Sequence, residues 1–153
     1  MLTSPSSFLR LTALAAALLG VVFLHGCKSP RYPVSTVWPL AGTVWKLTEL
    51  NGEVVGANHL PSLVFDATTH RVSGRAGVNS ISGGYTQQDA TLDFGPLAVT
   101  KMAGEPKQMK LETDFLQALD RVTTWKIEGG ILTFFAGEIE IARFQGLPAG
   151  GPQ

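Results

Sequence analysis

The stretch that decides the fold is RVSGRAGVNSISGGY, residues 71 to 85. Apolar and polar residues alternate along it as in a half-buried strand, but four glycines interrupt the alternation. Glycine inside a strand marks a bulge or the close approach of another backbone segment. The glycines therefore predict a strongly bent strand, and the competing interpretation is a loop that binds a phosphate ligand.

The phosphate interpretation requires features that this stretch lacks. A P-loop opens a helix and carries Gly-Lys followed by Ser or Thr. Neither is found here, and strand-like residues follow. Asn79 suits a left-handed turn or a bond to neighbouring backbone, and the ring of Tyr85 can cover the segment. We interpret Gly74, Gly77, Asn79, Gly83 and Tyr85 as a structural signature, and we predict no catalytic, cofactor or metal site.

The pattern on both sides of this stretch indicates one domain, residues 41 to 145. Period-two alternation predicts strands at 42–50, 62–66, 71–75, 91–94, 96–100, 122–128, 131–136 and 139–144. One segment, 105–122, instead places apolar residues at the helical spacing of Leu111, Phe115, Leu119 and Val122. The predicted class is α+β: a strongly curved antiparallel sheet, like an open barrel, with one main helix packed on it.

The N-terminus predicts export. Arg10 is followed by fourteen uncharged residues, 11 to 24, the pattern of a secretory signal peptide. As a helix that run rises about 21 Å, short of the roughly 30 Å of a bilayer core. It ends in Leu24-His25-Gly26-Cys27, which resembles a bacterial lipobox, and Cys27 is the sole cysteine. We therefore predict a signal peptide over 1–26, cleavage between Gly26 and Cys27, and lipidation of Cys27.

The segments that flank the domain are predicted to be extensions. Residues 27–40 would form the lipidated N-terminus and a proline-rich tether, and residues 146–153 a disordered Gly/Pro tail. Acylation of Cys27 would anchor the chain to a membrane. Lys28 after the cysteine resembles the sorting pattern of the outer membrane. The predicted location is the bacterial cell envelope, at the outer membrane facing the periplasm.

The order of short motifs across the domain resembles the META domain family, which includes HslJ-like lipoproteins of the bacterial envelope. The motifs that carry the resemblance are Gly42 to Leu47, Asn51-Gly52, Leu63 to Asp66, residues 72–85, Gly95 to Leu97, Thr100 to Met102, and Glu112, Phe115, Leu116 and Leu119. The resemblance implies the META fold, and a heat-shock or other stress-linked role as an expectation.

Two positions depart from the family pattern. Family members often carry cysteines where this chain has Val78 and Gly104. The resemblance implies that these cysteines normally form a disulfide, which typically contributes about 2 to 4 kcal/mol. Packing must replace that contribution here, and the resemblance implies no redox role.

Composition and motifs favour a protein without enzymatic activity. Positive and negative side chains balance at twelve each, without the basic stripe that nucleic-acid binding needs. His59 and His70 lack neighbours at metal-ligand spacing, and no Gly-x-Ser-x-Gly elbow occurs. Phe134 and Phe135 must point to opposite faces of their strand, so one can cover a second apolar surface.

Two function classes therefore remain open. One is an interaction module that supports assembly or stress protection of envelope proteins. The other is a carrier or binder of a small amphiphile or hydrophobic peptide. A filled interior favours the first, and a continuous empty apolar pocket favours the second.

Overall fold

A computed structural model of the protein describes residues 38–56 and 59–147. These residues form one helix and nine strands, in the mostly antiparallel α+β arrangement that the sequence predicts. In chain order the elements are β1 Val44–Leu50, β2 Glu53–Val54, β3 Ser62–Asp66, β4 Arg71–Arg75, β5 Ser80–Gln88, β6 Thr91–Val99, α1 Pro106–Leu119, β7 Thr124–Glu128, β8 Ile131–Ala136 and β9 Ile139–Leu147.

The strands pair in a ring. Strand β1 pairs with the short β2 and with β3, each strand from β3 to β8 pairs with the next in sequence, and β9 returns to pair with β1. Register shifts bend the sheet at three places, between Leu47 and Glu49, between Gly83 and Tyr85, and between Phe134 and Phe135. Such shifts increase local twist, which allows a sheet of this size to close on itself.

Three details of the strands differ from the prediction. The glycine-rich stretch, predicted as one strongly bent strand, forms two strands, β4 and β5, that a turn joins and that pair with each other. Residues 91–99 form one strand, β6, where the sequence predicts two strands separated by Gly95-Pro96. Two residues of this strand, Gly95 and Pro96, lie opposite the single Gly84 of β5. This bulge lets the strand continue through the proline. Strand β2 was not predicted, because two residues are too short to show alternation.

Large apolar side chains fill the inside of the ring. Phe134 and Phe144 are fully buried with ring centres 4.9 Å apart, and Phe115 from the helix lies 6.2 Å from Phe144. The other fully buried side chains are those of Trp45, Leu47, Leu63, Phe65, Val72, Leu92, Leu119 and Leu132. Phe135 points away from this core and is half-buried.

Helix α1 packs one face against the core. Pro106 occupies its first turn, where a backbone N–H would have no acceptor within the helix, so the N–H that proline lacks is not missed. Phe115 and Leu119 are buried, as their spacing predicts, and Leu111 and Leu116 pack at the margin of the core. Glu112 is buried on the same face, which apolar periodicity does not predict.

The domain is longer at both ends than the sequence predicts. Leu40 is buried, and Trp38 packs on Trp45 with ring centres 6.4 Å apart, although both positions fall in the predicted tether. Strand β9 continues to Leu147, so two residues of the predicted tail are paired with β1. Apolar side chains within Pro- and Gly-rich sequence can still pack against a nearby hydrophobic core. The rest of the tether and tail, the signal peptide, Gly26 and Cys27 lie outside the described residues.

Candidate functional site

The loop between β4 and β5 is closed by its own backbone and packed on the helix. The N–H of Ala76 donates to the carbonyl of Asn79 over 2.8 Å, which forms a tight turn. Gly77, at φ 151°, lies against α1, where an added Cβ would come within 3.3 Å of the Gln108 carbonyl oxygen. Only glycine combines this positive φ with such a close approach to the helix without strain.

Asn79 is 2 % exposed, and its side chain makes four hydrogen bonds. Its Nδ2 donates to Oε1 of Glu112 over 2.8 Å and to the carbonyl of Met102 over 3.1 Å. Its Oδ1 accepts from the Met102 N–H over 2.7 Å and from the Thr100 hydroxyl over 2.8 Å. The Asn79 side chain thus bonds backbone that is 23 residues away in sequence, and not the backbone of adjacent residues.

Glu112 completes this arrangement from the helix. It is 5 % exposed, and its Oε2 accepts the Asn79 backbone N–H over 2.8 Å. We call Asn79, Thr100, Met102 and Glu112 the Asn79 network. A buried carboxylate is tolerated when hydrogen bonds satisfy it, and this one receives two. The network joins the β4–β5 loop, the segment after β6 and the helix at one point.

The remaining signature residues serve packing. A Cβ at Gly74 would lie 1.8 Å from the Ser62 carbonyl oxygen, so β3 and β4 approach too closely there for any side chain. A Cβ at Gly83 would lie 2.6 Å from Cδ2 of Leu97 and 2.8 Å from the Pro96 carbonyl oxygen on β6. Tyr85 stands edge-on to Phe65 with ring centres 5.0 Å apart, and its hydroxyl donates to the Asp66 carbonyl over 3.3 Å.

Tyr85 and Asp66 titrate away from their ordinary values for different reasons. Burial, helped by the nearby charge of Asp66, raises the pKa of Tyr85. Backbone N–H groups of Thr69 and Thr68 hold the pKa of Asp66 below its ordinary value of 3.8. The first effect comes from the packing of Tyr85 and the second from the β3–β4 turn, and neither singles out a reactive group.

The two positions at which the family often carries cysteines lie side by side. A Cβ built on Gly104 would be 3.2 Å from Cβ of Val78 and 2.3 Å from its Cγ2. In a disulfide the two Cβ atoms are about 3.5 to 4.5 Å apart. A Val78 methyl occupies the volume that a side chain at 104 would need, so valine and glycine fit together where a bridge would otherwise lie.

A groove of about 440 Å³ opens beside the Asn79 network. We call it the methionine groove; its apolar walls are Val99, Met102, Ala103 and Met109. Met102 is 51 % exposed, and Lys101 lies at the rim. Sequence reasoning missed this site, although the motifs Thr100 to Met102 and Glu112 supply most of it.

A second groove, of about 560 Å³, lies at Trp38, Leu40, Trp125 and Ile127, and we call it the tryptophan groove. Asp89 and Lys126 also line it. The indole N–H of Trp125 is buried without a hydrogen-bond partner among the described residues. Both grooves open to solvent.

The two histidines considered in the sequence, and Glu140 on β9, do not form a reactive cluster. His59 and His70 are exposed, and Glu140 forms an ion pair with Arg143 over 2.7 Å. Among residues 38–56 and 59–147, no three His, Cys, Asp or Glu side chains gather as a metal site. Nor does that part of the chain contain a helix with the length and apolarity needed to cross a bilayer.

These features define a class of small α+β domain: a ring of antiparallel strands with a filled interior, a packed helix and a glycine-rich signature held by a buried asparagine. The chain belongs to the META domain family, since the model of that family matches residues 38–146. The match confirms the resemblance seen in the sequence. No match is found among curated proteins.

Solved structures of low sequence identity share this fold. A protein from Burkholderia xenovorans, solved by NMR, is 22% identical with a TM-score of 0.57; the match covers 77% of this chain and 98% of that one. A DUF4847 family protein from Bacteroides vulgatus, solved by crystallography, is 14% identical with a TM-score of 0.53, over 74% of this chain and 96% of that one. At these identities the likeness concerns the fold alone.

Proposed function

We propose that this protein is an exported, non-enzymatic lipoprotein of the bacterial cell envelope whose META domain acts as an interaction module. Cys27 would carry the acyl chains, and the domain would bind other envelope proteins in assembly or stress protection. The observation that carries the proposal is the filled interior. Trp45, Phe134 and Phe144 occupy the inside of the ring, so the surfaces that remain for binding are outside it.

Anchoring is supported by the apolar run before Cys27, by the lipobox-like sequence and by the absence of other cysteines. Cys27→Ser is expected to move the protein from the membrane fraction to the soluble envelope fraction, or to leave the precursor uncleaved. Lys28→Asp is the matched control, because it keeps the acylated cysteine and should stay with membranes. If Cys27→Ser fractionates and migrates like wild type, lipidation is the wrong explanation of Cys27.

The second candidate, a carrier of an amphiphile, is favoured by the tryptophan groove. Its volume of about 560 Å³ falls in the range of small-ligand sites, and its walls include two indoles. In this case the ligand would lie at the surface and not inside the ring.

Mass spectrometry of the full chain separates the two candidates. A covalent acyl group adds mass under both native and denaturing conditions, whereas a bound amphiphile adds mass only under native conditions. We expect the covalent mass alone. An additional native mass that Trp125→Ala removes and Val54→Ala keeps would favour the carrier, because Val54 is an exposed side chain outside both grooves.

A further inference from the structure

Trp38 is held against one end of the ring by two glycines. A Cβ added to Gly130 would come within 2.9 Å of a ring atom of Trp38, and one added to Gly146 within 2.8 Å. The Cβ at Gly146 would also lie 2.8 Å from a ring atom of Trp45, so this glycine lies between two indoles. Leu40, two residues further on, is buried. The chain thus enters the domain through a packed contact, and the tryptophan groove begins at that contact.

The tryptophan groove is an uncovered margin of the core. Trp125 and Ile127 on β7 lie opposite Phe134 and Leu132 of β8, which are fully buried, so all four side chains are on the inner face of the sheet. Trp125 and Ile127 are nevertheless only half-buried. Within the described sheet, β7 meets its other neighbour, β6, through a single residue pair. A groove with mostly apolar walls is left where the two strands diverge.

The walls of the groove also contain polar groups. The indole N–H of Trp125 is buried without an acceptor among the described residues. Asp89 and Lys126 are exposed at the groove, and Lys126 also pairs with Glu128 over 2.8 Å. A matching occupant has apolar chains, oxygen atoms that accept hydrogen bonds, and no net charge. Zwitterionic phospholipid has all three properties.

The groove lies close in sequence to the predicted anchor. Trp38 follows Cys27 by 11 positions, 38 minus 27. A chain spans at most about 3.6 Å per residue, so Trp38 cannot be more than about 40 Å from an acylated Cys27. Short linkers give effective concentrations of about millimolar. Even a weak contact between the groove and the anchoring bilayer would therefore be populated.

We propose that the tryptophan groove contacts the membrane that anchors the chain, with zwitterionic phospholipid as its occupant. Trp38 and Trp125 would lie at the level of the headgroups, where tryptophan is enriched because its ring is apolar and its N–H is polar. Leu40 and Ile127 would contact the upper part of the acyl chains. The inference rests on the proposed function, since it requires the anchor, and it adds which face of the domain meets the membrane.

The test uses the acylated protein, purified from bacterial membranes and reconstituted into phosphatidylcholine vesicles. A fraction of the lipid carries bromine, which quenches indole emission on contact, near either the ester end or the methyl end of its acyl chains. We expect bromine near the ester end to quench at least about twofold more, because interfacial indoles lie at the headgroup level. Trp125→Phe should remove about half of the quenched emission, since two indoles line the groove. Trp45→Phe should keep it, because Trp45 is fully buried.

Two substitutions of exposed residues then locate the contact without changing the core. Pro39 is exposed and lines the groove. Pro39→Glu should reduce quenching at least about threefold, because a carboxylate at the groove must lose water to approach the acyl chains. Val54→Glu is the matched control, since Val54 is exposed outside both grooves, and it should leave quenching unchanged.

Three results overturn the inference. They are no quenching by either brominated lipid, equal quenching in wild type and Pro39→Glu, and quenching together with a noncovalent lipid in native mass spectra, which would identify a carrier. The proposed anchor fails separately, through the fractionation of Cys27→Ser. Absent quenching from a protein that has the acyl mass and fractionates with membranes removes only the contact at the groove.

Discussion

The β4–β5 loop and the tryptophan groove differ in how their buried polar groups are satisfied. In the loop, Asn79 and Glu112 are buried, and each accepts or donates hydrogen bonds within the protein. At the tryptophan groove, the indole N–H of Trp125 is buried without a hydrogen-bond partner among the described residues. The first region uses its polar groups to hold three elements together, whereas the second contains a donor that no described residue satisfies. The glycine-rich signature is therefore structural.

The largest effect is expected at the Asn79 network. Asn79→Ala removes four hydrogen bonds and leaves Oε1 of Glu112, the Thr100 hydroxyl and the Met102 N–H without their partner. We expect a loss of about 3 to 5 kcal/mol in the free energy of unfolding. Urea denaturation followed by circular dichroism measures it. A loss below about 1 kcal/mol would mean that water replaces the side chain and that the loop is not held as described.

A smaller but still large effect is expected where β3 and β4 touch. Gly74→Ala places a methyl group 1.8 Å from the Ser62 carbonyl oxygen, so the strands must separate. We expect a loss of about 2 to 3 kcal/mol in the free energy of unfolding. Gly84→Ala is the matched control in the same stretch, because the nearest atom to its added Cβ is 3.9 Å away. Equal losses in the two variants would contradict the role of close strand approach.

Restoring the family's cysteines should stabilise the loop further. In Val78→Cys/Gly104→Cys the two Cβ positions start about 3.2 Å apart, so a small backbone shift gives disulfide geometry. The oxidised double variant should unfold with about 2 kcal/mol more free energy than its reduced form. Thermal unfolding with and without reductant measures the difference, and each single cysteine variant serves as control. Failure to oxidise in air would show that the two positions are not adjacent.

The wall of the tryptophan groove should tolerate change at Trp125. Trp125→Phe removes the unpartnered indole N–H beside the β6–β7 junction and keeps an aromatic ring. Deleting an unsatisfied buried donor offsets the lost contacts, so we expect a change of less than about 1 kcal/mol in the free energy of unfolding. Trp45→Phe is the contrast, since its indole N–H donates to the Leu40 carbonyl over 2.9 Å. If Trp125→Phe is the more costly of the two, the Trp125 indole has a partner in solution.

The smallest effect concerns a turn outside both regions. Because the folded-state pKa of Asp66 is lowered, its contribution to stability is present above pH 3.8 and is lost as pH falls below that value. Asp66→Asn should flatten the acid limb of the stability curve, because it removes a small contribution at neutral pH and none at low pH. Asp93→Asn is the control on another exposed aspartate. An acid limb that is steeper in Asp66→Asn than in wild type would reverse the sign that we assign.

Much of the fold could be predicted from the sequence. The bounds of β3, β4 and β8 agree with the prediction, because period-two alternation ended there at clear turn residues. The helix was recognised from the four-residue spacing of Leu111, Phe115 and Leu119. These signals are local, so each can be recognised from one stretch of consecutive residues.

The candidate site could be predicted only in part. Residue by residue, Gly74, Gly77 and Asn79 stood out, because their residue types are rare in strands. Glu112 and Met102 did not, since a glutamate on a helix and a methionine in a loop look like ordinary surface residues. Their roles depend on partners 33 and 23 residues away along the chain. Periodicity carries no information about such pairs.

The sequence by itself therefore determined the class of fold, the likeness to the META family and the prediction of an anchor at Cys27. These follow from composition, alternation and motif order, which are properties of consecutive residues. Only the tertiary structure decided that the ring is filled, that Val78 meets Gly104, and that Met102 and Met109 line one groove. Those facts depend on how the strands close on one another, because a register is fixed by long-range contacts and not by neighbours in the chain.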